Sequence, residues 1–270
     1  MTEEMITSLA RTEGGQLRVI GKAAALQAIA IDSNIAEAHA ALGFNKWFYD
    51  WETAGAETEI KKAIRLEPGN VDAHHWYSMV LMTGGRLDAA EAQMKVALTR
   101  DPLALILRTN LGWVHYLQRN YPQGIEEMLR VTKGNPDFLT AHYKLWWAYS
   151  VVGDSPHAFQ EFLSVARLVG TADNTRGLEH VYQKSGYSGT LKAFASTNGT
   201  DTSANTVDSA RCIPIVGDKP AALHFLERGL KSREGWMIFV ASDPVFDSLR
   251  SEPEYAELLK DIHPPAETMQ

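Results

Sequence analysis

Pro68, Pro102 and Pro136 stand 34 residues apart, and Gly170 takes the next step of the same length. Ala56, Ala90, Gly124 and Ala158 keep that interval, as do Ala63, Ala97, Val131 and Val165. Three position classes held in phase over four cycles mark an internal repeat. A unit this short cannot bury its own apolar face, so the chain must fold by stacking each unit on its neighbours.

The local pattern within one unit is helical. Over residues 138–170, Ala141, Leu145, Ala148 and Tyr149 recur at three- and four-residue steps, the spacing of one helix face. Gly153-Asp154-Ser155-Pro156 then breaks the helix, and Pro156 suits the first turn of a second one. Ala158, Phe162, Val165 and Ala166 form the apolar stripe of that second helix. Small residues at the Ala56, Ala90 and Ala158 positions let the paired helices approach closely. The closing proline lacks an amide donor and ends the unit. One step departs from the rule: Leu42-Gly43 to Tyr77-Ser78 is 35 residues, which places an extra residue near Tyr49-Asp50-Trp51, between the helices of the first unit. Loops absorb insertions more readily than packed helices.

These residues resemble the tetratricopeptide repeat. Its Leu-Gly pair is present at Leu42-Gly43 and Leu111-Gly112, whereas Leu145 is followed by Trp146 in place of Gly. Tyr149 and Phe162 stand where the family pattern has Tyr and Phe. The resemblance implies an all-α, right-handed α-solenoid of helix-turn-helix units with a C-terminal helical cap. Ala36–Gly43, Ala73–Tyr77 and Asn110–Trp113 also resemble the C-terminal repeat arrays of bacterial regulators that carry winged-helix, kinase or cyclase domains. That second resemblance implies an alternative function, the regulatory or sensory remnant of a transcription regulator or adenylate cyclase without its effector domain.

The expected organisation follows the beat. Residues 1–33 comprise an N-terminal segment, with a strand-like fragment at 17–20, and an orphan repeat helix at 22–32. Four repeats occupy 34–68, 69–102, 103–136 and 137–170. A degenerate repeat covers 171–195, where Leu178, Tyr182, Gly186 and Leu191 echo Leu145, Tyr149, Gly153 and Ala158. Residues 196–208 carry almost no apolar side chain and are expected to be a flexible loop. A sixth unit occupies 209–232, and 233–270 form a cap and tail in which Phe246, Leu249, Tyr255, Leu258 and Leu259 cover the last apolar face.

Composition narrows function. A net charge of −7 without a basic stripe argues against nucleic acid. No run approaches the apolar length of about 18 residues that a membrane span requires. Met1-Thr2-Glu3-Glu4 lacks the features of a secretory signal, so the cytoplasm is the expected compartment. Cys212 stands alone, which excludes an internal disulfide and reads as a small buried residue. His39, His74 and His142 occupy equivalent positions in separate units and cannot converge on one ion. No nucleotide-binding or metalloprotease signature is present, so no enzyme, metal or cofactor is expected.

The candidate site is the first-helix face that looks onto the concave side in the resembling family. It carries Phe44 and Trp47, then His75, Met79 and Met82, then Trp113 and Tyr116, then Tyr143 and Trp147. An aromatic series of this kind is characteristic of interfaces. The leading expectation is therefore a non-enzymatic scaffold that binds an apolar peptide or helix of a protein partner. The competing possibility is that these side chains are core, or are covered by the protein's own tail. Self-association through the end repeats is a further expectation.

Overall fold

A computed structural model of the protein describes residues 20–170, 172–200 and 206–262. The chain divides into two compact units, Met1–Pro102 and Leu103–Gln270. The expected all-α class is the one observed, a succession of helical hairpins without a strand among the described residues.

The first unit begins with helix α1 (20–31), followed by α2 (Ala36–Phe48), α3 (Thr53–Leu66), α4 (Val71–Thr83) and α5 (Leu87–Arg100). Helices α2 and α3 form one hairpin and α4 and α5 the next. In the second unit, α6 (Leu105–Leu117) pairs with α7 (Tyr121–Gly134), and α8 (Leu139–Val151) pairs with α9 (Ser155–Val169). Helix α10 (Ala172–Thr200) is interrupted at Gly186, whose φ of 66° echoes the 79° of Gly153 in the preceding unit. Helices α11 (Thr206–Val216) and α12 (Lys219–Lys231) form a further hairpin. Two 3-10 turns (Gly235–Phe239 and Pro244–Leu249) and α13 (Pro253–Ile262) complete the chain.

The small-residue series works as its spacing predicts. A Cβ on Gly112 would sit 2.8 Å from the Gly124 carbonyl oxygen, and one on Gly124 would sit 2.7 Å from the Gly112 carbonyl oxygen. In the second hairpin the matching pair is Ser78 and Ala90, joined by a 2.7 Å bond from Ser78 Oγ to the Ala90 carbonyl. The turns are equally periodic. Trp51, Gly85, Arg119 and Gly153 all have positive φ, at 59°, 69°, 64° and 79°. The first turn spans four residues, 49–52, where the next three span three, so the extra residue of the 35-residue step lies there.

A second device ties each hairpin together. His39 Nδ1 lies 2.7 Å from Glu59 Oε2, His74 Nδ1 lies 2.6 Å from Gln93 Oε1, and His142 Nδ1 lies 2.5 Å from Glu161 Oε2. The other ring nitrogens lie 3.1, 3.0 and 2.8 Å from the carbonyls of Ser33, Pro68 and Pro136 in the preceding turns. In the third hairpin Arg108 takes the histidine's place and donates to Glu127 at 2.9 Å. Three of these residues are thus cross-links from a first helix to the second helix of the same unit. Among the described residues no group of three metal-ligating side chains gathers.

Two expectations need correction. The loop expected over 196–208 is helical wherever it is described, because α10 runs to Thr200 and α11 starts at Thr206; residues 201–205 lie outside the described set. The start of α11 is held from a distance: Glu234 Oε1 accepts from Thr206 N at 3.2 Å and Thr206 Oγ1 at 2.5 Å, and Glu234 Oε2 accepts from Val207 N at 3.3 Å. A carboxylate on helix N-terminal amides stabilises that end. The C-terminal segment is also more than an end cap, since Tyr116 of α6 and Arg119 of the following turn bond to its Asp243 and Asp247. Of the strand-like fragment, Ile20 opens α1, and residues 17–19 lie outside the described set, as do 1–16 and the tail at 263–270.

Candidate functional site

Helical spacing puts Trp113 and Tyr116 on one face of α6, and Tyr143 and Trp147 on one face of α8. The Trp113 and Tyr116 rings stack at 4.1 Å, and the Tyr143 and Trp147 rings meet edge to face at 6.1 Å. Trp113, Tyr116 and Trp147 are buried and Tyr143 is half-buried. What lies on them is the chain's own C-terminal third. The Arg211 guanidinium of α11 sits 5.7 Å from the centre of the Trp147 ring. Tyr116 Oη donates to Asp243 Oδ1 at 2.7 Å, and Arg211 Nε donates to Asp243 Oδ2 at 3.0 Å. Arg211 Nη1 also donates to Asp208 Oδ1 and to Tyr143 Oη, each at 3.0 Å, while Tyr143 Oη donates to Asp208.

The network is dry: Arg211 is 4% exposed and Asp243 is 0% exposed. Burial works against the Arg211 charge, but the facing Tyr143, Asp243 and Asp208 more than offset it and hold the guanidinium protonated. Burial raises the Asp208 carboxyl above its usual range, against the pull of Arg211 and Tyr143. Burial likewise pushes the Tyr116 and Tyr143 phenols up, so both remain donors. At the edge of this network Arg119 forks onto Asp247, with Nη2 2.8 Å from both carboxylate oxygens and Nε 3.1 Å from Oδ2. The positive φ of Arg119 belongs to the turn that aims it there.

The first unit carries the remaining five candidates. Trp47, His75, Met79 and Met82 are buried and Phe44 is half-buried. Trp47 Nε1 donates to Thr83 Oγ1 at 3.1 Å, and Phe44 packs on Trp76 with ring centres 4.4 Å apart. Both contacts run from α2 of the first hairpin to α4 of the second, so Phe44 and Trp47 are part of the packing between neighbouring hairpins.

The wall of the second unit is not closed completely. A cavity of about 360 Å3 remains beside it, with Trp113, Tyr143, Val165 and Phe239 as apolar walls and Lys144, Asp208 and Arg211 as polar groups. Leu139, Val169 and Trp236 also line it and are exposed large apolar residues. Lys144 donates to Asn110 Oδ1, and its ammonium lies 5.2 Å from the centre of the Trp113 ring. Burial, reinforced by the charge of Arg211, pulls its pKa down to about 7.

Lys144, Asp208, Arg211 and Asp243 have no counterpart in the repeat pattern. Neither a motif nor a period marks them, although Lys144 and Arg211 stand out as charges inside otherwise apolar helical stretches. Cys212 is buried, and burial pushes its thiol well above the usual range, the state of an inert packing residue.

Residues 52–104 and 80–137 match the pattern of the tetratricopeptide repeat family. No curated protein matches the chain. Among solved structures, the chain is similar to Pseudomonas aeruginosa PilF, at 18% identity and a TM-score of 0.51, covering 77% of this chain and 96% of that one. It is also similar to PilW, a type IV pilus biogenesis factor, at 15% identity and a TM-score of 0.54, covering 89% and 99%. The C-terminal part of a repeat-containing protein from Cytophaga hutchinsonii matches at 15% identity and a TM-score of 0.50, covering 96% and 100%. At these identities the likeness is one of fold. Residues 52–137 thus carry the pattern of that repeat, in register with the 34-residue beat and with the hairpins α3 to α7.

Proposed function

We propose that the protein is a non-enzymatic interaction scaffold whose second unit holds its own C-terminal segment where a partner peptide would bind. Stacked helical repeats of this type form extended interaction surfaces. The observation that carries the reading is the grip on Asp243-Pro244-Val245-Phe246-Asp247. Tyr116 and Arg211 hold its first carboxylate and Arg119 its last, while Phe246 between them is fully buried. An intramolecular segment bound this way describes the chemistry of a competitor: a peptide in a single 3-10 turn with an aromatic residue flanked by carboxylates. Trp113, Tyr116, Tyr143 and Trp147 then form the apolar wall of the recognition site. Phe44, Trp47, His75, Met79 and Met82 support the first unit of the same scaffold.

Selection from a peptide library tests this. The Asp247→Asn variant removes the charge and one of the two carboxylate oxygens that Arg119 forks onto, in a residue exposed enough to leave the core intact. The expected result is enrichment of peptides with the acid–aromatic–acid pattern, with capture several-fold greater on the variant than on the unaltered chain. Absence of enrichment on both proteins would remove the groove as a recognition site.

A further inference from the structure

The cavity in the second unit has a composition that the peptide reading does not use. Its walls are apolar, its exposed lining includes Trp236 and Val169, and a primary amine, Lys144, stands among its lining groups. Arg211 is already paired with both Asp208 and Asp243, one cation between two carboxylates, and has no positive charge to spare for a ligand. An anionic ligand would add an unmatched negative charge to a dry site, which is costly. A neutral carbonyl compound adds none. Lys144 is also held differently from a surface lysine. Its hydrogen bond goes to the neutral Asn110 amide rather than to a carboxylate, and it lies over the Trp113 face.

We propose that Lys144 is a nucleophilic amine that condenses with an apolar aldehyde held in this cavity. The neutral amine donates its lone pair to the carbonyl carbon, forming a C–N bond while the C=O π electrons move to oxygen. Proton transfer from nitrogen to oxygen gives a carbinolamine. Loss of its hydroxyl, as water, leaves an imine, which takes up one proton from solvent. The overall change is amine plus aldehyde to imine plus water, with no change of oxidation state. The resulting cation replaces the lysine ammonium and keeps the charge balance of the site. A pKa of about 7 leaves roughly half of the amine neutral at pH 7, about a thousandfold more than for an ordinary lysine.

The test is reductive trapping on the full chain with octanal and cyanoborohydride at pH 7, read by peptide mapping. The chain has eleven other lysines as internal controls. Alkylation of Lys144 at least tenfold above any of them is expected. An excess of octan-1-ol, which has the same chain length but no carbonyl, should lower that labelling at least fivefold while the other lysines are unaffected. The Lys144→Arg variant, folded by circular dichroism, should lose the dominant adduct. Labelling distributed according to surface exposure, or Lys144 labelling indifferent to octan-1-ol, would overturn the proposal. The octan-1-ol arm uses the unaltered chain and decides the matter even if the variant fails to fold.

Discussion

Arg211→Met isolates the buried network of the second unit. Methionine keeps much of the apolar stem that packs beside Trp147 and removes the guanidinium. That deletes donors at 3.0 Å to each of Asp243, Asp208 and Tyr143 and leaves two carboxylates in a dry site. Removing one partner of a buried ion pair costs about 3–5 kcal/mol, most of it the desolvation of the charge left behind. The loss should therefore be about 3–5 kcal/mol at pH 7, measured by urea denaturation followed by circular dichroism, with faster proteolysis within 233–262. The pH dependence has a definite sign. Burial already raises the Asp208 carboxyl and Arg211 opposes that rise, so without Arg211 the cost of the Asp208 charge is felt above its folded pKa and vanishes as acid protonates it. Destabilisation should be smaller at pH 4 than at pH 7. Adding Asp243→Asn to Arg211→Met replaces a broken pair with a neutral one and should recover part of the loss. A change below about 1 kcal/mol at pH 7, or a double variant whose loss is the sum of the singles, would refute the network as the clasp on the C-terminal segment.

Gly124→Ala should destabilise by about 1–3 kcal/mol in the same assay, because the added Cβ meets the Gly112 carbonyl at 2.7 Å and the Tyr116 amide nitrogen at 3.1 Å, neither of which is a flexible side chain. In the first unit, Glu57 accepts from Arg86 and Tyr77 and pairs with Lys61, and Arg86 above all lowers its carboxyl to about 2. A depressed carboxyl contributes stability that is present above its unfolded pKa, near 4.5, and is lost as pH falls through about 2. Glu57→Gln should cost about 1 kcal/mol at pH 7, a value reduced for the exposed Arg86 and Lys61, and nothing near pH 2; equal losses at both pH values would contradict the ion-pair origin.

The repeat, its turns and the displaced residue near Trp51 were legible because each is local or periodic. Proline stops, small residues at the crossing point and helix-face spacing all act within a few residues of where they are read. The His39, His74 and His142 positions were legible as a series, but their role needed the partners. Glu59, Gln93, Glu127 and Glu161 keep the same 34-residue step, and that register could have paired them. The helical start at Thr206 was hidden because its carboxylate, Glu234, is 28 residues away. Low apolar content was a poor guide where a distant side chain supplied the cap. The aromatic face was legible as a stripe, but a stripe does not say what covers it: Tyr116 and Asp243 are 127 residues apart and share no pattern.

The chemistry of that cover is itself informative. An apolar tail would have sufficed to bury Trp147 and Tyr116, and replacing buried ion pairs by apolar contacts is often neutral or stabilising. The segment is instead held by Arg211, Tyr116 and Arg119 acting on two aspartates, contacts that depend on direction and on charge. Such contacts specify one register of the segment, because a slip of one residue would leave Asp243 buried without its donors. Under the proposed function they would also make release selective, since a competitor that supplies its own carboxylates removes the desolvation penalty that an apolar intruder would incur. A wall that needs only coverage would favour grease. This one holds two aspartates on either side of a buried phenylalanine, and Asp247→Asn should loosen that hold at its solvent edge.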